Sequence, residues 1–178
     1  MESLRGHEAP ATATGGVPVS RRIEDLGLDT RRKCELLIEL CRAEGINVVP
    51  VQTYRSSSEQ ELIYAKGRTR PGEPCRHLWP PRVRQVGTCK RHPLGATVTN
   101  APSGHSFHEA GRACDFAFRV GVSGISWAGP WERFGLLATQ CGLHWGGHWA
   151  TPDRPHVEDP LPPGLTLAQA IVKRESAV

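Results

Sequence analysis

Apolar and polar positions along the chain keep a readable rhythm in several places. Cys34, Leu37, Ile38 and Cys41 fall at i, i+3, i+4 and i+7 and predict a helix. Asp29 or Thr30 is placed to cap its start, and Gly45 to end it in the left-handed conformation. Residues 46–54 predict an extended segment, after which Ser57-Ser58-Glu59-Gln60 reads as a capping box leading a short helix. Regular structure is expected to resume at Val98. In Arg112-Ala113-Cys114-Asp115-Phe116-Ala117-Phe118 the alternation is that of a strand, with Cys114, Phe116 and Phe118 on one face and Asp115 displayed on the other between two alanines. A second helix is predicted from Trp131, Phe134, Ala138 and Cys141, between Pro130 and Gly142. Leu143-His144-Trp145 and His156-Val157-Glu158 read as short strands, Gly146-Gly147 as a turn, and residues 165–173 as a closing helix. Strands and helices do not alternate as βαβ units, so the predicted class is α+β, a small, mostly antiparallel sheet packed with helices.

Two stretches lack such a rhythm. Residues 1–18, rich in Ala, Thr, Gly and Pro, are expected to form a flexible leader, and residues 19–178 a single domain. A chain of 178 residues leaves no room for a second module. Residues 73–95 read as a long loop without apolar period. The net charge of +4 is concentrated around that loop, since eight bases lie in residues 66–91 against the single acid Glu73. Such a surface suits an anionic polymer. No apolar run approaches the ~20 residues of a spanning helix, and the amino-terminus lacks a hydrophobic signal core, so synthesis in the host cytoplasm without a signal peptide is expected. Six cysteines without a secretion signal point to buried thiols rather than a disulfide framework.

The chemistry-bearing residues cluster in Ser106-Phe107-His108-Glu109-Ala110-Gly111-Arg112-Ala113-Cys114-Asp115 and in Asp153-Arg154-Pro155-His156. Two histidines and an aspartate have the donor types of a three-ligand zinc site that keeps a position open for water. Gly111 permits the change of direction that brings a loop histidine back over the strand carrying Asp115. Pro155 favours a turn that aims both Asp153 and His156 inward. On composition alone the histidines also read as ordinary surface or core residues.

The ordered set Ser106-x-His108-x-x-Gly111-x-Ala113-x-Asp115, Trp145-Gly146-Gly147 and Asp153-x-Pro155-His156 resembles the zinc L-alanyl-D-glutamate peptidases found as phage endolysins and their bacterial relatives. These share a fold group with D-alanyl-D-alanine carboxypeptidases and the hedgehog signalling domain. The resemblance runs over roughly residues 20–160 and includes Tyr54-Arg55-Ser56, Gln60 and Gly67-Arg68-Thr69-x-Pro71-Gly72. It implies that His108, Asp115 and His156 bind one catalytic Zn2+, that Asp153 is the general base, and that Arg55 contacts the substrate or its oxyanion. An exposed ion pair is the alternative for Arg55. Gln60 is a weaker substrate-binding candidate, its capping role sufficing. Ser106 either orients His108 or caps a turn. The implied activity is hydrolysis of the L-alanyl-D-glutamate bond of bacterial peptidoglycan by a lytic, monomeric enzyme that reaches the wall after membrane permeabilisation. A D-alanyl-D-alanine carboxypeptidase and a non-catalytic zinc-stabilised binding module are the alternatives. A nucleic-acid partner would explain the basic stretch alone and is set aside.

The chain departs from the family pattern twice. His148 stands where an aspartate is usual and becomes a candidate for substrate contact or proton transfer, or an exposed loop residue; Trp149 is a candidate cleft wall, and His105 a rival ligand. The second departure is the loop itself, inserted between family motifs normally closer together. Cys75, His77, Cys89 and His92 give it the donors of a second, structural zinc ion, with a Cys75–Cys89 disulfide or unlinked thiols as the other readings. Zinc stoichiometry under reducing conditions separates them. Two ions per chain falling to one in Cys75→Ser/Cys89→Ser marks a metal site, and one ion in the unaltered chain excludes a stable second metal.

Overall fold

The computed structural model describes residues 20–65 and 98–176. The expected leader, the inserted basic loop and its Cys75, His77, Cys89 and His92 lie outside the described residues. In chain order the elements are α1 (Leu28–Ala43), β1 (Val48–Gln52), α2 (Ser57–Ala65), β2 (Ala113–Val120), β3 (Gly124–Ser126), α3 (Trp131–Gln140), β4 (His144–Trp145), β5 (His156–Glu158) and α4 (Leu167–Glu175). Every strand pairing among them is antiparallel, in the order β1-β2-β5-β4, with β3 also pairing β2. The fold is thus the α+β arrangement that the pattern predicts. No helix among the described residues is long and apolar enough to cross a membrane.

One face of the sheet is covered by α1 and α3. Cys34, Leu37 and Cys41 of α1 meet Cys114, Phe116 and Phe118 of β2 and Phe134 and Leu137 of α3, all buried. Phe118 and Trp131 pack with their rings tilted and their centroids 4.3 Å apart, and Phe116 and Phe134 lie at 5.5 Å. All four described cysteines are free, buried thiols. Because side chains alternate along β2, burying its even-numbered positions turns Asp115 to the opposite face.

Local structure departs from the expected pattern where a tertiary contact outweighs it. Helix α1 starts two or three residues earlier than expected, with Gly27 at the capping position, its amide bound to the Gly111 carbonyl at 2.8 Å. Asp29 and Thr30 therefore lie inside the first turn. Thr30 donates its hydroxyl to the buried Asp159 carboxylate at 2.9 Å instead. The capping box of α2 is shifted by one residue. Ser56 Oγ accepts from the Glu59 amide at 3.2 Å while Glu59 Oε2 accepts from the Ser56 amide at 2.7 Å, which releases Gln60 from any capping role. Regular structure does not resume at Val98: residues 98–112 run through bends and turns. The buried Glu109 carboxylate explains this, because it takes the amides of Gly104 at 2.9 Å and Ser106 at 3.1 Å that a strand would offer to a ladder. The expected 146–147 turn is one 3-10 turn, Gly146–His148, and α4 begins behind a Thr166–Gln169 capping box.

Asp159, directly after β5, ties these parts together. Its carboxylate accepts from Thr30 and Lys33 of α1 and from Arg112 before β2, the two cations at 2.6 and 2.7 Å. Asp159→Ala removes the shared partner of two cations and is expected to cost about 3 kcal/mol, below the upper range for buried pairs because Lys33 is one-third exposed. Urea denaturation of the variant measures that loss.

Candidate metal centre

Asp115 and His156 face each other across the β2–β5 ladder. Directly opposed residues in antiparallel strands put their side chains on one face, so the register alone brings carboxylate and imidazole together. Asp115 Oδ1 lies 2.9 Å from His156 Nδ1. His108 arrives from the turns before β2. The Arg55 and Gly111 amides both hold its carbonyl, and Gly111, at φ 64°, makes the left-handed step that returns the chain to the strand. His108 Nε2 then stands 3.4 Å from the same Asp115 oxygen. One donor atom from each of the three residues lies within 4.8 Å of the others, and no other His, Cys, Asp or Glu among the described residues joins the group.

Each imidazole has a second partner that fixes which nitrogen is free. His108 Nδ1 is 2.6 Å from the Thr53 carbonyl, which can only accept, so Nδ1 carries the hydrogen and Nε2 keeps its lone pair toward Asp115. His156 Nε2 is 3.4 Å from Glu158 Oε2, which can hold a hydrogen there and leave Nδ1 for a metal. Two lone pairs, each on a ring oriented from behind, and one carboxylate are the donor set of a three-ligand zinc site. Burial alone would raise the Asp115 carboxyl, but the two imidazoles outweigh it and hold the group well below the usual carboxylate range. For His156, burial works against protonation, while Asp115 and Glu158 push its pKa up to about 9. A bound cation would replace that proton.

Asp153 is carried to the rim by a tight turn. Its amide binds the Gly146 carbonyl at 2.9 Å and its carbonyl accepts from the His156 amide at 3.2 Å. Gly146 has no room for a side chain, since a Cβ there would stand 2.6 Å from the Asp153 carbonyl and 3.2 Å from the His156 Cβ. Desolvation, then the charge of Asp115, raise the Asp153 carboxyl above its usual range, against the opposing pull of His156 and His108.

The exposed ion pair weighed for Arg55 is overturned: the residue is 96% enclosed, because its chain segment runs beneath the His108 turn. Its Nη1 donates to Gln60 Oε1 at 2.5 Å, and Gln60 Nε2 donates to the Ala101 carbonyl at 2.6 Å. Arg55 Nε, also buried, finds no partner among the described residues. Burial lowers the guanidinium pKa, against Asp115, Glu109 and Glu59. Ser106 does not touch the His108 ring; its Oγ accepts from the His108 amide at 3.3 Å, as a turn cap. Trp149 is 41% exposed with its ring 5.0 Å from that of His156, whereas His148 is exposed and packs edge-on against Trp145. His105 is exposed and outside the ligand group.

Sequence reasoning missed the orienting groups. Glu158 had a signal, since it lies two residues beyond His156 on one strand and hence on the same face. The Thr53 carbonyl had none, because backbone oxygens carry no sequence mark. Gln60→Ala leaves a buried guanidinium without its acceptor and is expected to cost about 2–3 kcal/mol, read by urea denaturation.

A family model described as D-alanyl-D-alanine carboxypeptidase matches residues 24–122, more than half of the chain, and a second with the same description matches residues 99–159. The peptidoglycan L-alanyl-D-glutamate endopeptidase CwlK of Bacillus subtilis (strain 168) is 28% identical over 145 residues, 75% of this chain and 73% of that protein. Among solved structures, the L-Ala D-Glu endopeptidase ChiX of Serratia marcescens is similar with a TM-score of 0.48 and 16% identity, over 78% of this chain and 83% of that one.

Proposed function

Since the chain belongs to the D-alanyl-D-alanine carboxypeptidase family, we propose that it is a zinc-dependent peptidoglycan endopeptidase that hydrolyses the L-alanyl-D-glutamate bond of the stem peptide. The observation that carries the metallopeptidase reading is the Asp115 carboxylate set between two outward-free imidazole nitrogens, with Asp153 at the rim. The choice of bond is supported by the likeness to CwlK over three-quarters of the chain. The family description itself favours a second reading, a carboxypeptidase that removes terminal D-alanine.

His108 Nε2, Asp115 and His156 would hold zinc, with His108 kept in its tautomer by Thr53 and His156 backed by Glu158. When bound, zinc acidifies water to a pKa near ~7 and polarises a carbonyl. Asp153 takes the proton of the attacking water and hands it to the leaving amine, a task that a raised carboxyl pKa suits. The fixed guanidinium of Arg55, held by Gln60, offers its positive charge to the developing oxyanion. Trp149 walls the substrate beside His156, and His148 is a rim contact. A lytic, endolysin-type use belongs to the same proposal, with the basic stretch meeting anionic wall polymers. Its readout is the fall in turbidity of a cell suspension exposed to the purified protein.

His108→Ala, Asp115→Ala and His156→Ala are expected to lose zinc from the catalytic site and hydrolysis together. Asp153→Asn keeps the metal and lowers the rate by roughly 10²–10⁴. Metal analysis beside hydrolysis of purified peptidoglycan tests both. Full activity in Asp153→Asn would assign the base elsewhere.

A further inference from the structure

The connection between β3 and α3 is tied to the core, yet it holds a large aromatic side chain out in solvent. Ser126 Oγ donates to the Ala128 carbonyl and accepts from the Ala128 amide, both at 3.0 Å. Trp131 Nε1 donates to the Trp127 carbonyl at 2.8 Å, and Trp131 is itself buried against Phe118. The backbone of Trp127 is therefore fixed, while its side chain is among the exposed large hydrophobics at 56%. An indole left outside forgoes the gain of burial, and on a fixed backbone it forms a platform that loses little freedom on binding.

Trp127 borders a cleft of about 590 Å³ whose walls include Ala128, Pro152, Asp153, Arg154 and Pro155. That volume lies within the ~300–1,000 Å³ usual for small-ligand sites. The apolar part of the lining is indole, methyl and proline ring, and the charged groups are Asp153 and Arg154. Arg154 is free to turn to a ligand, since it meets Glu132 only at 3.8 Å with both side chains more than half exposed. Asp153 belongs to both the cleft and the proposed reaction site, so an occupant of the cleft is continuous with the substrate at the reacting bond.

We infer that this cleft is a saccharide subsite in which Trp127 stacks on the pyranose ring of the amino sugar carrying the stem peptide. The inference rests on the endopeptidase reading: L-alanine is joined to that sugar's lactyl arm, so a cut on its carboxyl side leaves one amino acid between the reacting carbonyl and the sugar. A pyranose offers a flat face of C–H bonds to the negative face of an aromatic ring and keeps its hydroxyl and acetamido groups at the edge. That distribution matches an apolar lining beside Asp153 and Arg154. A peptide segment has no such face.

The test compares two substrates of zinc-loaded protein, the disaccharide-linked stem peptide and the same peptide freed from sugar. The unaltered protein is expected to prefer the linked substrate by about tenfold in kcat/KM, mainly through KM, and Trp127→Ala to bring that ratio down to about one. Trp127→Phe keeps most of the preference. Equal rates in the unaltered protein, or an unchanged ratio in Trp127→Ala, overturn the subsite and leave the endopeptidase reading standing. Cleavage of neither substrate by the unaltered protein overturns that reading and the inference with it. Binding without turnover gives a second readout. In metal-free protein, the N-acetylated disaccharide alone should shift the indole N–H resonance that is missing from Trp127→Phe, and failure to shift it overturns the subsite.

Discussion

A carboxylate enclosed between two imidazoles sets the terms for the rest of the structure. Asp115 reaches His156 Nδ1 at 2.9 Å and His108 Nε2 at 3.4 Å. Withdrawing ionisable groups from water costs several kcal/mol per ion unless partners replace the lost hydration. The chain supplies them on each side. The β2–β5 register delivers His156, the left-handed turn at Gly111 delivers His108, and the Thr53 carbonyl and Glu158 back the two rings. The arrangement does not optimise stability, since apolar side chains would fill the space at less cost. It concentrates negative charge and two lone pairs where a cation can replace a proton.

The surrounding polar groups do related work. Glu109 gathers the amides of residues 104 and 106, so the segment before His108 is held without a strand or helix. Asp159 locks the far end of β5 to α1 and to Arg112. Arg55 is held by Gln60, which is anchored in turn on Ala101. Two buried acids and one buried cation are thus divided between holding backbone and shaping the site. The apolar core between β2, α1 and α3 lies on the other face of the sheet and takes no part in the chemistry.

Much of this was legible from the residue pattern. The strand carrying Asp115 was readable because alternation around Phe116 admits only one side for the carboxylate, and α1 and α3 because their apolar positions repeat at helical spacing. What failed was local capping: the α1 cap lies two or three positions, and the α2 cap one position, from where side-chain chemistry alone puts it. Thr30 is drawn to Asp159, and Ser56 precedes Glu59 by the required three residues just as Ser57 precedes Gln60. The burial of Arg55 was not legible either, since it depends on residues 98–112 folding back over it. The three candidate ligands could be named as a set through the family resemblance, while the groups orienting them became visible only in three dimensions.

Mass spectrometry of stem-peptide products answers most directly which bond a metal centre of this kind cuts. Purified peptidoglycan is digested with zinc-loaded protein and with chelator-treated protein. Fragments with a newly freed D-glutamate amine are expected, formed only when zinc is present. Release of terminal D-alanine with that bond intact, or the same fragments at the same rate after chelation, would contradict the zinc endopeptidase reading.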